Sequence, residues 1–225
     1  MKHLKQLFII LLFLTAMNQN STAQKTLSFL ALGDSYTIGE SVPVYLSFPY
    51  QTVQLLRKKG IAVHAAEIVA KTGWTTDELM AGIDKTVLEK EYDIVTLLIG
   101  VNNQYRGKPT DAYAIEFETL LNKAIAFAGS KKKQVFVLSI PDWGATPFAE
   151  GRDRKKIAAE IDDFNSINRK ITESRGIAYI SITEGTREAP SNPQLVAKDG
   201  LHPSGDDYAR WANKLVLEIL QSIRP

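Results

Sequence analysis

The 225-residue sequence contains no cysteine. That absence excludes disulfides, thiolate metal sites, a cysteine nucleophile and attachment of a lipid through an N-terminal cysteine. Histidine is almost as scarce, with His3, His64 and His202 the whole set. No sign of charge dominates either, because 27 basic residues face 25 acidic ones. The balance therefore gives no electrostatic reason to expect nucleic acid or an anionic membrane as partner. The long apolar run, Leu7 to Leu14, is well short of the roughly 20 residues that span a bilayer. It lies behind Lys2, His3 and Lys5 and ahead of Asn18-Gln19-Asn20 and the small-residue site Ser21-Thr22-Ala23. This is the layout of a secretory signal peptide over residues 1–23. It predicts an exported protein, periplasmic or extracellular, with no stable membrane anchor. Loss of that leader removes Lys2 and Lys5 and no acid, leaving 25 basic against 25 acidic side chains and only His64 and His202 as imidazoles.

The remaining chain, 24–225, reads as a single domain. It has no internal repeat and no dividing linker, and a composition of 44% hydrophobic and 23% charged residues suffices for a core. Strand-like apolar runs occur at Thr26 to Leu32, Ile61 to Ala70, Asp93 to Ile99, Val135 to Ile140 and Ile177 to Ile182. Helices alternate with them. One spans Ser47 to Lys59, with Pro49 in its first turn and Gly60 beyond its end, and another opens on Thr75 and Glu78 at capping-box spacing. A third covers Thr110 to Ala128, a fourth carries Ile157, Ile161, Phe164, Ile167 and Ile171, and the last carries Tyr208, Trp211, Leu215, Ile219 and Ile223. Thr183 to Lys198 reads as a surface loop. The alternation defines an α/β fold with a mainly parallel sheet.

Chemistry-bearing residues collect where strands end or helices begin, on one rim of such a sheet: Ser35, Gly73, Asn102, Asp199 and His202. Ser35, in Gly33-Asp34-Ser35 after the first strand, is a candidate nucleophile. His202 would take its proton, and Asp199, three residues earlier in the same loop, would accept from the other ring nitrogen and fix the tautomer. The N–H groups of Ser35 and Gly73 and the Asn102 side-chain amide would form an oxyanion hole. His64, flanked by Val63, Ala65 and Ala66, reads instead as a structural residue on or under the sheet. Tyr36, Tyr105, Trp143 and Phe148 are candidates to line the substrate pocket, and Arg106 and Lys108 are cations suited to an anionic group. This scheme asks for no metal and no cofactor.

These blocks resemble those of the SGNH hydrolases, the GDSL-type esterases and lipases, across the whole mature chain. Gly33-Asp34-Ser35 matches the nucleophile block, Gly73 in Thr72-Gly73-Trp74 the second, Asn102 in Gly100-Val101-Asn102-Asn103 the third, and Asp199-Gly200-Leu201-His202-Pro203 the last. One departure is Asn103, where the family usually has Asp. The resemblance implies a flavodoxin-like strand order 2-1-3-4-5 in a three-layer α/β/α domain, and a serine esterase working through an acyl-enzyme. It also implies a substrate class of small acyl groups on glycans, with lysophospholipids or thioesters as alternatives. A reading from a different class is a flavodoxin-like binding module whose Ser35-to-Gly39 loop cradles a phosphate or flavin, but it gives Asp199 and His202 no task. A scaffold that binds carbohydrate without catalysis is a third reading, and it leaves an intact set of reactive residues unused.

Overall fold

The computed structural model describes residues 25–223, so the predicted leader lies outside the described residues. Five strands form one parallel sheet: β1 (Phe29–Asp34), β2 (Glu67–Lys71), β3 (Ile94–Leu98), β4 (Val135–Leu138) and β5 (Ala178–Ile180). Their order is β2-β1-β3-β4-β5, the one implied by the family resemblance. Every residue of β1, β3 and β4 is buried, which explains their unbroken apolar character: successive side chains point to opposite faces, and helices cover both. These helices are α1 (Ser35–Ile38), α2 (Phe48–Lys58), α3 (Thr76–Lys85), α4 (Val101–Tyr105), α5 (Thr110–Phe127), α6 (Arg154–Ser174), α7 (Thr183–Thr186) and α8 (Gly205–Ser222). α2 packs on α8, while α5 lies against α3 and α6, completing three layers.

The strands are shorter than the apolar runs that announce them. Residues 61–66 run beside the sheet as irregular chain, tied to it by a bridge between Leu27 and Val63 and by the His64 N–H to the Leu27 carbonyl at 2.8 Å. His64 is exposed, contrary to the expectation of a histidine on or under the sheet. Val63 and Ala66 take the two inward positions of that segment, which turns His64 and Ala65 to solvent. The segment read as a surface loop after β5 is likewise more structured than expected. It contains α7 and a 3₁₀ turn at Pro193–Leu195, and buries Thr183, Thr186, Ala189 and Leu195. Arg187 fastens it with ion pairs to Asp142, Glu184 and Asp162.

Two glycines let the chain turn at the sheet's C-terminal edge. A Cβ on Gly33 would run into Thr37 Oγ1 and the Leu98 carbonyl oxygen, so β1 and β3 can close on the α1 turn only around a bare backbone. Gly100 has φ +130°, and a Cβ there would meet the Tyr113 ring at 2.7 Å. The first glycine sets the position of Ser35, the second that of Asn102. Both residues thus flank the point where strand order reverses between β1 and β3.

Candidate active site

Ser35 is the first residue of α1, directly after β1, and is only 4% exposed. The turn holds because Asp34 Oδ1 accepts from the Tyr36 N–H at 3.0 Å, capping the helix, and Gly39 in the left-handed conformation ends it one turn later. Asp34 itself is fully buried, and burial pushes its carboxyl up to about 7 against the opposing hydrogen bonds from the backbone. Its other oxygen lies 3.5 Å from Asn102 Nδ2.

The loop carrying the candidate base is closed on itself. The Ala197 N–H donates to the His202 carbonyl at 2.7 Å, the Ser204 N–H to the Leu195 carbonyl at 2.8 Å, and Val196 bridges Pro203. Within it Asp199 Oδ1 accepts from the N–H groups of Leu201 and His202, both at 3.0 Å, and Asp199 Oδ2 lies 2.5 Å from His202 Nδ1. Burial pulls the Asp199 carboxyl up, but hydrogen bonds from His202, Ser41 and the two backbone N–H groups outweigh it and hold it at about 2. Asp199 is therefore anionic throughout the neutral range. The His202 ring, buried, sits against the Tyr36 ring at 5.0 Å between centroids, and Tyr36 in turn stacks on Trp211 of α8. That packing and the Asp199 contact together restrict the imidazole ring.

Ser35, Tyr36, Val101, Asn102, Tyr105, Trp143, Phe148, Leu201 and His202 line one cavity of about 150 Å³. All four expected pocket aromatics are thus present in it. Trp143 is buried and held by its indole N–H on Gln104 Oε1 at 2.7 Å, while Gln104 Nε2 donates to Glu160 of α6 at 2.7 Å. Tyr105 and Phe148 remain 46% and 41% exposed at the rim. The Phe148 N–H donates to the Gly200 carbonyl at 2.9 Å, joining the aromatic loop to the His202 loop.

The oxyanion candidates are distributed differently. Asn102 faces the cavity with its amide anchored on the Trp74 carbonyl at 3.0 Å and, at the long 3.5 Å distance, on Asp34. Gly73 is on the turn after β2, φ +82°, outside the set of cavity-lining residues, with its carbonyl held by Arg106. Asn103, the departure from the family pattern, is fully buried: its Oδ1 accepts from the Thr76 N–H at 3.1 Å and its Nδ2 donates to Thr76 Oγ1 at 2.6 Å. Since the Thr76 hydroxyl donates onward to Glu116, it needs a donor as its partner, which an amide supplies and a carboxylate does not.

Arg106 and Lys108, the cations singled out from the sequence, are engaged elsewhere. Arg106 pairs with Glu78 and the Gly73 carbonyl, and Lys108 with Asp77. Sequence reasoning missed Ser41, whose hydroxyl reaches Asp199, and Arg152, which lies over the pocket aromatics. Neither belongs to a recognisable block, and both arrive through folding of distant loops.

A parallel three-layer domain with a serine at the end of β1 and a His–Asp pair on the same cavity rim is built as a serine hydrolase of carboxylic esters. Residues 31–210 match the family model described as GDSL-like lipase/acylhydrolase, and the chain belongs to that family. An acetylxylan esterase from Geobacillus stearothermophilus is 24% identical over 204 residues, covering 85% of this chain and 84% of that enzyme. Among solved structures, a lipase/acylhydrolase from Enterococcus faecalis superposes with a TM-score of 0.70 at 20% identity, over 89% of this chain and 98% of its own. The structure of an acetylxylan esterase from Geobacillus stearothermophilus gives 0.67 at 18% identity, over 86% and 94%.

Proposed function

We propose that the protein is an exported esterase that removes acetyl or similarly short acyl groups from glycans, with Ser35, His202 and Asp199 as its triad. Ser35 Oγ attacks the ester carbonyl while His202 Nε2 takes the hydroxyl proton, and Asp199 holds the ring through Nδ1 and stabilises the imidazolium. The oxyanion collects donors from the Ser35 N–H and from Asn102, which line the cavity, whereas Gly73, expected from the sequence as a third donor, lies outside that lining. Of the two Asn102 contacts, the 3.5 Å one to Asp34 is the weaker, so that N–H is the one a developing oxyanion can take over. Collapse expels the alcohol with the proton from His202, and a water activated by the same imidazole then cleaves the acyl-enzyme.

The observation that carries this reading is the 2.5 Å contact of Asp199 Oδ2 with His202 Nδ1, on an imidazole that shares its cavity with Ser35. The short-acyl preference rests on size: about 150 Å³ is well below the roughly 300–1,000 Å³ of pockets for drug-sized ligands, too little to enclose a long lipid chain. The glycan side rests on the half-exposed rings of Tyr105 and Phe148 and on the acetylxylan esterase relative. Export rests on the composition of residues 1–23. A series of nitrophenyl esters of rising chain length, followed by acetylated oligosaccharides, tests the proposal. kcat/KM should be greatest for acetate and decline steadily beyond butyrate, with acetate released from the oligosaccharides. A rate that climbs with chain length would point to a lipid substrate instead.

A further inference from the structure

One cation at the mouth of the cavity is fixed in place yet left unneutralised. The Arg152 guanidinium carbon lies 5.5, 5.4 and 5.7 Å from the ring centres of Tyr105, Trp143 and Phe148, and its Nη2 is 3.5 Å from the Tyr105 hydroxyl. The three rings pack on one another as well as under the cation. They hold the guanidinium by its attraction to their π-faces, which fixes its position without using up its charge. Among the described residues Arg152 takes part in no ion pair. Its neighbour Asp153 is committed to capping α6 through the Lys156 N–H at 3.0 Å.

The carboxylates of the site do not pair with it either. Asp34 is buried beneath the cavity and Asp199 is saturated by His202, Ser41 and two backbone donors. The cavity lining itself has no carboxylate. Arg106 and Lys108 are neutralised by Glu78 and Asp77, so of these three cations Arg152 is the one that lies over the cavity's aromatic rings without an ion-pair partner among the described residues. An ordered guanidinium fork without a carboxylate, beside the half-exposed rings of Tyr105 and Phe148, calls for a ligand that joins an anionic group to a partly apolar body such as a sugar.

We propose that Arg152 is a specificity residue that takes the carboxylate of an acidic sugar whose acyl ester is cleaved at Ser35. The inference rests on the esterase reading above and narrows its substrate to esters on anionic glycans. A phosphate would satisfy the same fork, but the small cavity and the flat rims of Tyr105 and Phe148 favour a sugar acid over a phospholipid.

The test uses the mature enzyme and four esters: an acetylated uronic-acid oligosaccharide, the same oligosaccharide with its carboxylates reduced to alcohols, acetyl glycerophosphate, and nitrophenyl acetate. The wild type should prefer the acidic over the reduced oligosaccharide by about tenfold in kcat/KM, mainly through KM, the order expected of one solvent-accessible charge-assisted contact. That ratio should shrink at high salt. It should fall near one in Arg152→Gln, be partly kept in Arg152→Lys and invert in Arg152→Glu. Equal rates on the two oligosaccharides, no turnover of either alongside good turnover of nitrophenyl acetate, a ratio that Arg152→Gln leaves intact, or a preference for acetyl glycerophosphate would each overturn the proposal while the esterase reading stands. Absence of turnover on all four esters would remove the esterase reading and this proposal with it.

Discussion

The Ser41 hydroxyl donates at 2.7 Å to Asp199 Oδ2, the same oxygen that lies 2.5 Å from His202 Nδ1, although Ser41 and Asp199 are 158 positions apart. Ser41 holds this place with φ +64°, a left-handed conformation unusual for a residue with a side chain. The two donors share one carboxylate oxygen, so Ser41 helps to fix the carboxylate that orients His202. Ser41→Ala should therefore lower kcat severalfold with KM nearly unchanged, the order expected of one lost hydrogen bond of about 1 kcal/mol. Ser41→Gly should lower kcat equally but also relieve the backbone, making it the more stable of the two variants. A kcat unchanged in both would show that Ser41 merely occupies the loop.

This contact marks the boundary of what could be read in the sequence. The alternation of elements, the parallel sheet and the placing of Ser35, Asn102, Asp199 and His202 on one rim were legible because each follows from a local rule: strand ends, helix starts and the crevice at the switch point. The capping box at Thr75 and Glu78 is likewise present as expected. Ser41 and Arg152 were not legible, since their partners lie in loops that only the closed fold brings near. The exposure of His64 was misread for the opposite reason. Its neighbours look like a strand, but the chain has left the sheet there, and the apolar pattern serves Val63 and Ala66 alone.

Asn102 and Asn103 should separate chemistry from scaffolding. If the Asn102 amide gains its strongest acceptor only as the substrate oxygen becomes an anion, Asn102→Ala should lower kcat by about 10²–10³ with KM nearly unchanged. Asn103 joins α4 to the start of α3 through Thr76, so Asn103→Ala should cost about 1–3 kcal/mol in denaturant unfolding and lower kcat less, through looser placing of Asn102. A rise in KM with kcat intact for Asn102→Ala would make that residue a ground-state contact.

Asp207 gives a stability prediction of definite sign. Its side chain is buried in the first turn of α8 and its Oδ1 has no hydrogen-bond partner among the described residues, the nearest cation being Arg210 at 3.8 Å. Burial raises its carboxyl from 3.8 to about 6. Between those values the folded state binds a proton that the unfolded chain has released, so this group lowers stability as pH rises through that window, by up to about 3 kcal/mol, and adds no further slope above it. Asp207→Asn should flatten the stability curve between about pH 4 and 6 and raise stability at pH 8 relative to wild type. Urea melts across that range measure it, and parallel curves for the two proteins would contradict the assignment.

The central claim is that Ser35 is a nucleophile driven by His202, and covalent labelling addresses it most directly. A serine-reactive phosphonate, followed by intact-mass and peptide analysis, should add one group per chain, on Ser35, with full loss of esterase activity. Labelling should be slowed by on the order of 10³-fold or more in His202→Ala and left within about twofold in the exposed His64→Ala, as for a surface change remote from the site. An adduct on any other residue, or an active Ser35→Ala enzyme, would contradict the account.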